Sequence, residues 1–442
     1  MFLKLLSDVK KISFLIILIF ITTRVFTYFV LQIRLSDISY GYHLLDKDLL
    51  NNHFFSSLLY LHSQPYLWNF FNGIVVNIFD GHESSIELFF TFYHQLLSLI
   101  SLFIFYLILK EYKIKLKTSF FVILFFCINP TIIFFENIFS YAHTTFFIFN
   151  ILILLIIKFI NSNMKNSYEL GIYFCFFLLG NIWLLFQPHI LIPLAFVIIR
   201  FFKKSNFKVL LYSLIFTFVS LSPILKNKLV FGEYILASKG GHDFSVIFYD
   251  WEDYCGHPVK DIKKFEKIYF EKYQKEISHP SIVGEKSNFN NVGMIPYAQN
   301  CKNITFERLV DEPLTYLESR VYAFLAAHGK FGFDYVYPVP NGWNKYYSSV
   351  NQFYENKNIK LLRQIIIFIF KMFIYFTILK FILSKKIIKE NRFHTFLAAL
   401  VYIYLLLMAV FIAGTEQERI LYTGFIINLF FIICFLKNRL KS

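Results

Sequence analysis

The sequence predicts an all-α polytopic membrane protein with about ten transmembrane helices, interfacial helices in the first external loop and a mixed extracytoplasmic domain. Three observations predict it. Hydrophobic residues fill 57% of the 442 positions and 59 residues are Phe, more apolar side chain than one soluble core can hide. Apolar runs near the length that crosses a bilayer, roughly 20 residues, recur along most of the chain. Lys and Arg collect at Lys4/Lys10/Lys11, Lys110–Lys117, Arg200–Lys208, Lys385–Arg392 and Lys437–Lys441, which are alternate loops between those runs.

The runs lie near 12–33, 88–109, 118–135, 141–159, 170–186, 188–202, 208–225, 361–383, 394–413 and 419–437. The first follows MFLKLLSDVKK and lacks a small-residue cleavage site, so it is expected to remain as a span. The alternation of basic loops places both termini in the cytoplasm by the positive-inside rule. Loops 34–87, 136–140, 226–360 and 414–418 then share the opposite face. The net charge of +15 is spent in this way and does not argue for nucleic acid.

The first external loop opens with Asp37. It continues as an interfacial helix over 42–61, whose Leu44, Leu45, Leu49, Phe55, Leu58 and Leu59 form an apolar face, and Pro65 ends it. Leu67–Phe79 is too short to span comfortably and reads as a second helix along the interface. NPTIIFFENIFSYAH puts Pro130, Glu136 and Tyr141 in a very short external turn, and Gln187-Pro188-His189 marks another.

Past Pro223, the segment LKNKLVFGEYILASKGG opens an island, residues 226–360, with 17 basic and 16 acidic residues. A helix over 305–328, kinked or restarted at Pro313, closes it, and GTEQER (Gly414–Arg419) forms the last external turn. The chain divides into an N-terminal transmembrane core (1–225), the extracytoplasmic island (226–360) and C-terminal helices (361–442). Cys127, Cys175 and Cys434 fall within spans as small packing residues. Cys255 and Cys301 share the island, where the compartment permits a disulfide.

The external face gathers acids at Asp37, Asp46, Glu136 and Glu416/Glu418, and bases at His62, Lys226, Lys228 and Arg419. Such a set suits group transfer from a membrane-bound anionic donor. A carboxylate can deprotonate an acceptor hydroxyl, while Lys, Arg or His stabilises charge on a departing phosphate. Asp37 is the first choice for the base and Asp46 the second. A divalent cation held by either is compatible with the sequence but not required. Cys-x-x-Cys pairs, His-Glu-x-x-His and nucleotide-type Gly loops are absent from the sequence.

These residues resemble the GT-C superfamily, polytopic glycosyltransferases that use polyprenyl-phosphate-linked sugars. The resemblance rests on the acid-bearing loop after the first span and on HSQPYLWN (His62–Asn69), which is similar to the His-Pro-Pro-Leu-type segment of protein-mannosyltransferase relatives. It rests also on the acidic turn at Glu136, on KNKLVFGEY (Lys226–Tyr234) and on EQER (Glu416–Arg419). Asp37-Ile38 and Asp46-Lys47 stand where such enzymes frequently carry Asp-Glu. The resemblance implies transfer of a sugar from a polyprenyl-phosphate donor to a glycan, lipid or protein acceptor on the extracytoplasmic face of a bacterial plasma membrane. Asp37 or Asp46 would act as base, His62 and Gln64 would line the substrate site, and Lys226 and Arg419 would lie near the phosphate. Glu136 would shape the acceptor or metal side, with Glu416 in the last turn.

Two alternatives stay open. A transporter or flippase for lipid-linked saccharides would carry ionisable residues deep within its spans. Here the span interiors read mainly as Phe, Ile and Leu, with Lys371 and Lys380 as exceptions. A polymerase or ligase using a diphosphate-linked donor would add a second external Arg cluster, and only Arg308, Arg320 and Arg419 are candidates.

Overall fold

A computed structural model describes residues 2–38, 45–112, 114–162, 166–184, 186–187, 207–248, 250–257, 260–273, 278–283, 290–328 and 340–343, with 365–366, 368–369, 372, 376 and 422. The described elements are helices, and no strand occurs among them. Among the described residues, three helices are long and apolar enough to cross a membrane: α5 (Glu83–Glu111), α8 (Tyr141–Asn161) and α10 (Phe207–Phe231). The bent pair α6 (Leu116–Ile128) and α7 (Pro130–Glu136), at 52°, makes a fourth if the two count as one span. The expected spans over 188–202, 361–383, 394–413 and 419–437 lie outside the described residues, apart from a few isolated positions.

The helix α1 (Phe2–Val25) continues as a π turn, Phe26–Val30. The bend between α6 and α7 has a local cause. Pro130 has no N–H to continue the ladder, and the Asn129 side chain caps the new start by accepting from the Thr131 N–H at 2.9 Å. The stretch expected as a plain external turn is therefore a short helix with Glu136 as its last residue.

The first loop also differs from expectation. In place of one helix over 42–61 there are two short ones, α2 (Lys47–Asn52) and α3 (Phe54–Leu59), broken at His53. Pro65 does not end them; it precedes α4 (Tyr66–Ile78), where a residue with fixed φ suits a helix start.

α8 packs between α5 and α9 (Asn166–Ile182), and α9 packs against α10. The polarity of α10 is inverted relative to a soluble helix: it exposes Leu214, Ile215 and Phe218 (67% exposed) and buries Ser213, Thr217 and Ser220. Lipid accepts the large apolar side chains, while small polar ones let helices approach and bond, as Asn181 Nδ2 does to Ser220 Oγ at 2.8 Å. α10 runs through Pro223 to Phe231, so the boundary expected at 225/226 falls inside a helix.

The island contains α11 (Lys239–Ser245), α12 (Trp251–Cys255), α13 (Ile262–Tyr273), α14 (Pro280–Val283), α15 (Met294–Asp311) and α16 (Pro313–His328). The mixed domain expected there is helical in every described element; Arg34 and Asn341 form an isolated antiparallel bridge. The alternating Gly, Pro, Asp and aromatic residues mark short helices and turns, not strands. Cys255 and Cys301 form a disulfide that ties α12 to α15. Closing a loop of 46 residues stabilises the fold by about 4 kcal/mol on chain entropy.

Candidate active site

Glu136 and Arg24 form the most buried ionic contact of the described chain. The guanidinium Nε and Nη2 donate to the two carboxylate oxygens at 2.7 and 2.8 Å, and both side chains are almost inaccessible. Arg24 Nη1 donates to the Cys127 carbonyl at 2.7 Å and to Thr23 Oγ1 at 3.2 Å. This corrects two expectations. Glu136 is not an acid at the bilayer surface available to acceptor or metal, because a cation one helix away neutralises it inside the bundle. The span interiors are also not merely apolar: Arg24, His94 and His143 are buried there. The signal was present in the sequence, as a lone Arg within the run 12–33 requires an internal partner.

Further donors converge on Glu136. Ser98 Oγ donates to Oε2 at 2.7 Å, and His94 Nδ1 lies 3.0 Å from the Glu136 carbonyl, which fixes the proton on Nδ1. Because Ser98 gives its proton to the carboxylate, the 2.9 Å contact to His143 Nε2 requires that nitrogen to donate. His143 Nδ1 then accepts from Tyr422 O–H at 2.8 Å. Tyr422 stacks on Phe135 with ring centroids 4.1 Å apart. The network joins α1, α5, α7, α8 and the segment at Tyr422.

The same short piece of chain that holds Arg24 also holds the start of the first loop. The Ser36 N–H donates to the Asn137 carbonyl, and the Phe139 N–H donates to Ser36 Oγ, both at 2.8 Å. On the other side, Arg34 N–H donates to the Asn341 carbonyl at 3.0 Å, and Asn341 Nδ2 donates to the Leu35 carbonyl at 2.8 Å. Gly342 is required for this approach, since a Cβ there would collide with the Gln32 carbonyl. Asp37 is the next residue after the pinned segment, and it is exposed.

Asp46 has a different position. Its Oδ1 accepts from the Asp48 N–H at 3.0 Å and caps α2. That is a structural duty, and it separates the two candidates for the base.

His62 and Gln64 are both buried. The island stitches their loop in place. Asn290 Oδ1 accepts from the N–H groups of His62 (2.9 Å) and Ser63 (3.3 Å), and its Nδ2 donates to the Tyr60 and Ser281 carbonyls at 3.2 and 3.1 Å. His62 Nδ1 lies 2.8 Å from Ser238 Oγ, the Ser238 N–H donates to the His62 carbonyl at 2.7 Å, and Lys226 Nζ donates to the Leu61 carbonyl. Burial, reinforced by the Lys226 charge, pushes the His62 imidazole down to about 3, so it is neutral at ordinary pH. The structure thus brings His62 and Lys226 together as a seam between loop and island. Asn290 was not visible as part of it in the sequence, where an Asn in a polar stretch carries no signal.

Glu416 and Arg419 lie outside the described residues. Among the described residues, no group of three or more His, Cys, Asp or Glu could hold a metal ion. Comparison with family models, curated proteins and solved structures finds no match to this chain.

Proposed function

We propose that the chain is a membrane glycosyltransferase of GT-C type, moving a sugar from a polyprenyl-phosphate donor to an acceptor on the extracytoplasmic face. The observation that carries this reading is Asp37: an exposed carboxylate directly after the first membrane helix, on a segment pinned from two sides. A base works best where its backbone is fixed before substrate arrives. In the reaction the acceptor oxygen attacks the anomeric carbon from the face opposite the phosphate. Its proton passes to Asp37, the bond from anomeric carbon to phosphate oxygen breaks, and polyprenyl phosphate leaves with inversion. His62 and Lys226 act by holding the loop.

The sidedness rests on the alternation of basic loops, and the Cys255–Cys301 disulfide supports an oxidising compartment for the island. The ten-span layout, with both termini cytoplasmic, follows from the same alternation.

One observation favours a second reading, a proton-coupled flippase or transporter of lipid-linked saccharides. The buried chain from Tyr422 through His143 and Ser98 to Glu136 places ionisable groups within the bundle, as transport pathways do. One experiment separates the two. Membranes bearing the protein are incubated with a panel of labelled polyprenyl-phosphate sugars. Label released from lipid to acceptor, and abolished by Asp37→Asn, supports the transferase; label that crosses the bilayer still attached to lipid supports the flippase and sinks the first reading.

A further inference from the structure

We propose that Arg34 is the residue that binds the phosphate of the membrane-borne donor; this rests on the transferase reading and names a contact for the same site. Arg34 is exposed and precedes Asp37 by three residues, at most about 11 Å of extended chain. A single sugar-phosphate can touch both side chains.

Its guanidinium pairs with no carboxylate among the described residues and lies over the Tyr28 ring, 5.2 Å from the centroid. The ring holds the group by a cation–π contact and leaves its N–H donors for an anion. The backbone beneath is fixed by the bridge to Asn341.

Among the described residues, the other cations of this region are engaged. Arg24 is spent on Glu136, Lys226 on the Leu61 carbonyl, and Lys228 Nζ on the Gly232 carbonyl at 2.8 Å, while Lys47 lies 3.6 Å from Glu83. The π turn just before Arg34 exposes Phe26, Phe29 and Val30, with Phe29 70% exposed. A polyprenyl chain lying against these apolar residues carries its phosphate to the end of the helix, where Arg34 stands. On transfer, the phosphate oxygen gains the electron pair of the broken glycosyl bond, and the fixed guanidinium stabilises that charge.

A membrane-end Arg can also serve as an interfacial anchor, and the test separates the two roles. Full-length protein in phosphatidylcholine nanodiscs is titrated with undecaprenyl phosphate, undecaprenol, phosphatidic acid and inorganic phosphate. The wild type is expected to bind undecaprenyl phosphate in preference to the other three. Arg34→Gln is expected to bind it at least tenfold more weakly with undecaprenol binding unchanged, and Arg34→Lys is expected to keep part of the affinity.

Equal binding of phosphatidic acid or inorganic phosphate by the wild type overturns the proposal, as does Arg34→Gln affinity within twofold of wild type. Should Arg34→Gln fail to fold, Tyr28→Leu, which removes the ring beneath the guanidinium, is expected to weaken phosphate-lipid binding about threefold; no change overturns the proposal. Binding needs neither sugar nor acceptor. Loss of affinity in Arg34→Gln without any detectable transfer by wild type therefore upholds this site and sinks the transferase reading, while unchanged affinity with active transfer does the reverse.

Discussion

Glu136 ends the apolar helix α7 and Asp37 stands seven residues beyond the apolar helix that ends at Val30, yet one is almost wholly buried and the other exposed. The difference lies in what the neighbouring helix supplies. The Glu136 carboxylate meets Arg24 and Ser98, so its charge is neutralised and hydrogen-bonded inside the bundle, while His94 holds its backbone carbonyl. Asp37 follows a segment whose hydrogen bonds are made mainly by its backbone, which holds the chain still without covering the carboxylate. A buried pair of this kind contributes little net energy when intact, but breaking it is costly because one charge is left alone.

The largest effect should come from the pair. Arg24→Met is expected to destabilise the fold by about 3–5 kcal/mol, read as a lowered thermal unfolding midpoint in detergent, with the double variant Arg24→Met/Glu136→Leu recovering much of the loss. A loss below about 1 kcal/mol, the range of an exposed pair, would erase the contrast between the two acids.

Asp37→Asn should do the opposite. Stability is expected to stay within about 0.5 kcal/mol of wild type, as for most exposed positions, while transfer falls about 100-fold or more, as expected for loss of a general base. Retained transfer in this variant would remove Asp37 from the chemistry.

The His62 seam gives a pH-dependent version of the same comparison. Its folded value of about 3 lies below the ordinary histidine range near 6.5, so the unfolded chain binds more protons below that pH. Stability is therefore full above about 6.5 and is lost as pH falls towards 3. At pH 5 the cost is about 2 kcal/mol, expected as faster hydrogen exchange of the His62 and Ser63 amides. His62→Gln should flatten that dependence between pH 7 and 5; an unaltered slope would exclude His62 as its source.

The smallest effect belongs to Asp46. Asp46→Ala removes a helix cap worth about 1 kcal/mol and should lower transfer only slightly. A loss as large as that of Asp37→Asn would reassign the base.

Part of the membrane architecture was legible, because lipid demands long apolar runs whose signal is stronger than any local preference. Helices α5, α8 and α10 begin and end within a few residues of the predicted runs, with α10 extending furthest, to Phe231. Asn129-Pro130 misled, since Pro after a capping residue starts a helix as readily as it ends one. Glu136 was legible as an acid but not as a partner, because the position of Arg24, 112 residues away, depends on how two helices pack. For the same reason Asn290 and Tyr422 were invisible: their contacts are set by packing, and nothing in their immediate sequence announces it. Asp37 was the easier residue to see because its local setting, an acid just past a span, is also its structural setting.

The bridge between Arg34 and Asn341 sets a timetable for biogenesis. On a ribosome moving at about 5–20 residues per second, the first helix is made well before its distant partner. For roughly 15–60 s the segment bearing Asp37 waits for the residues that complete its hold, and a chain stopped short of Asn341 never receives them.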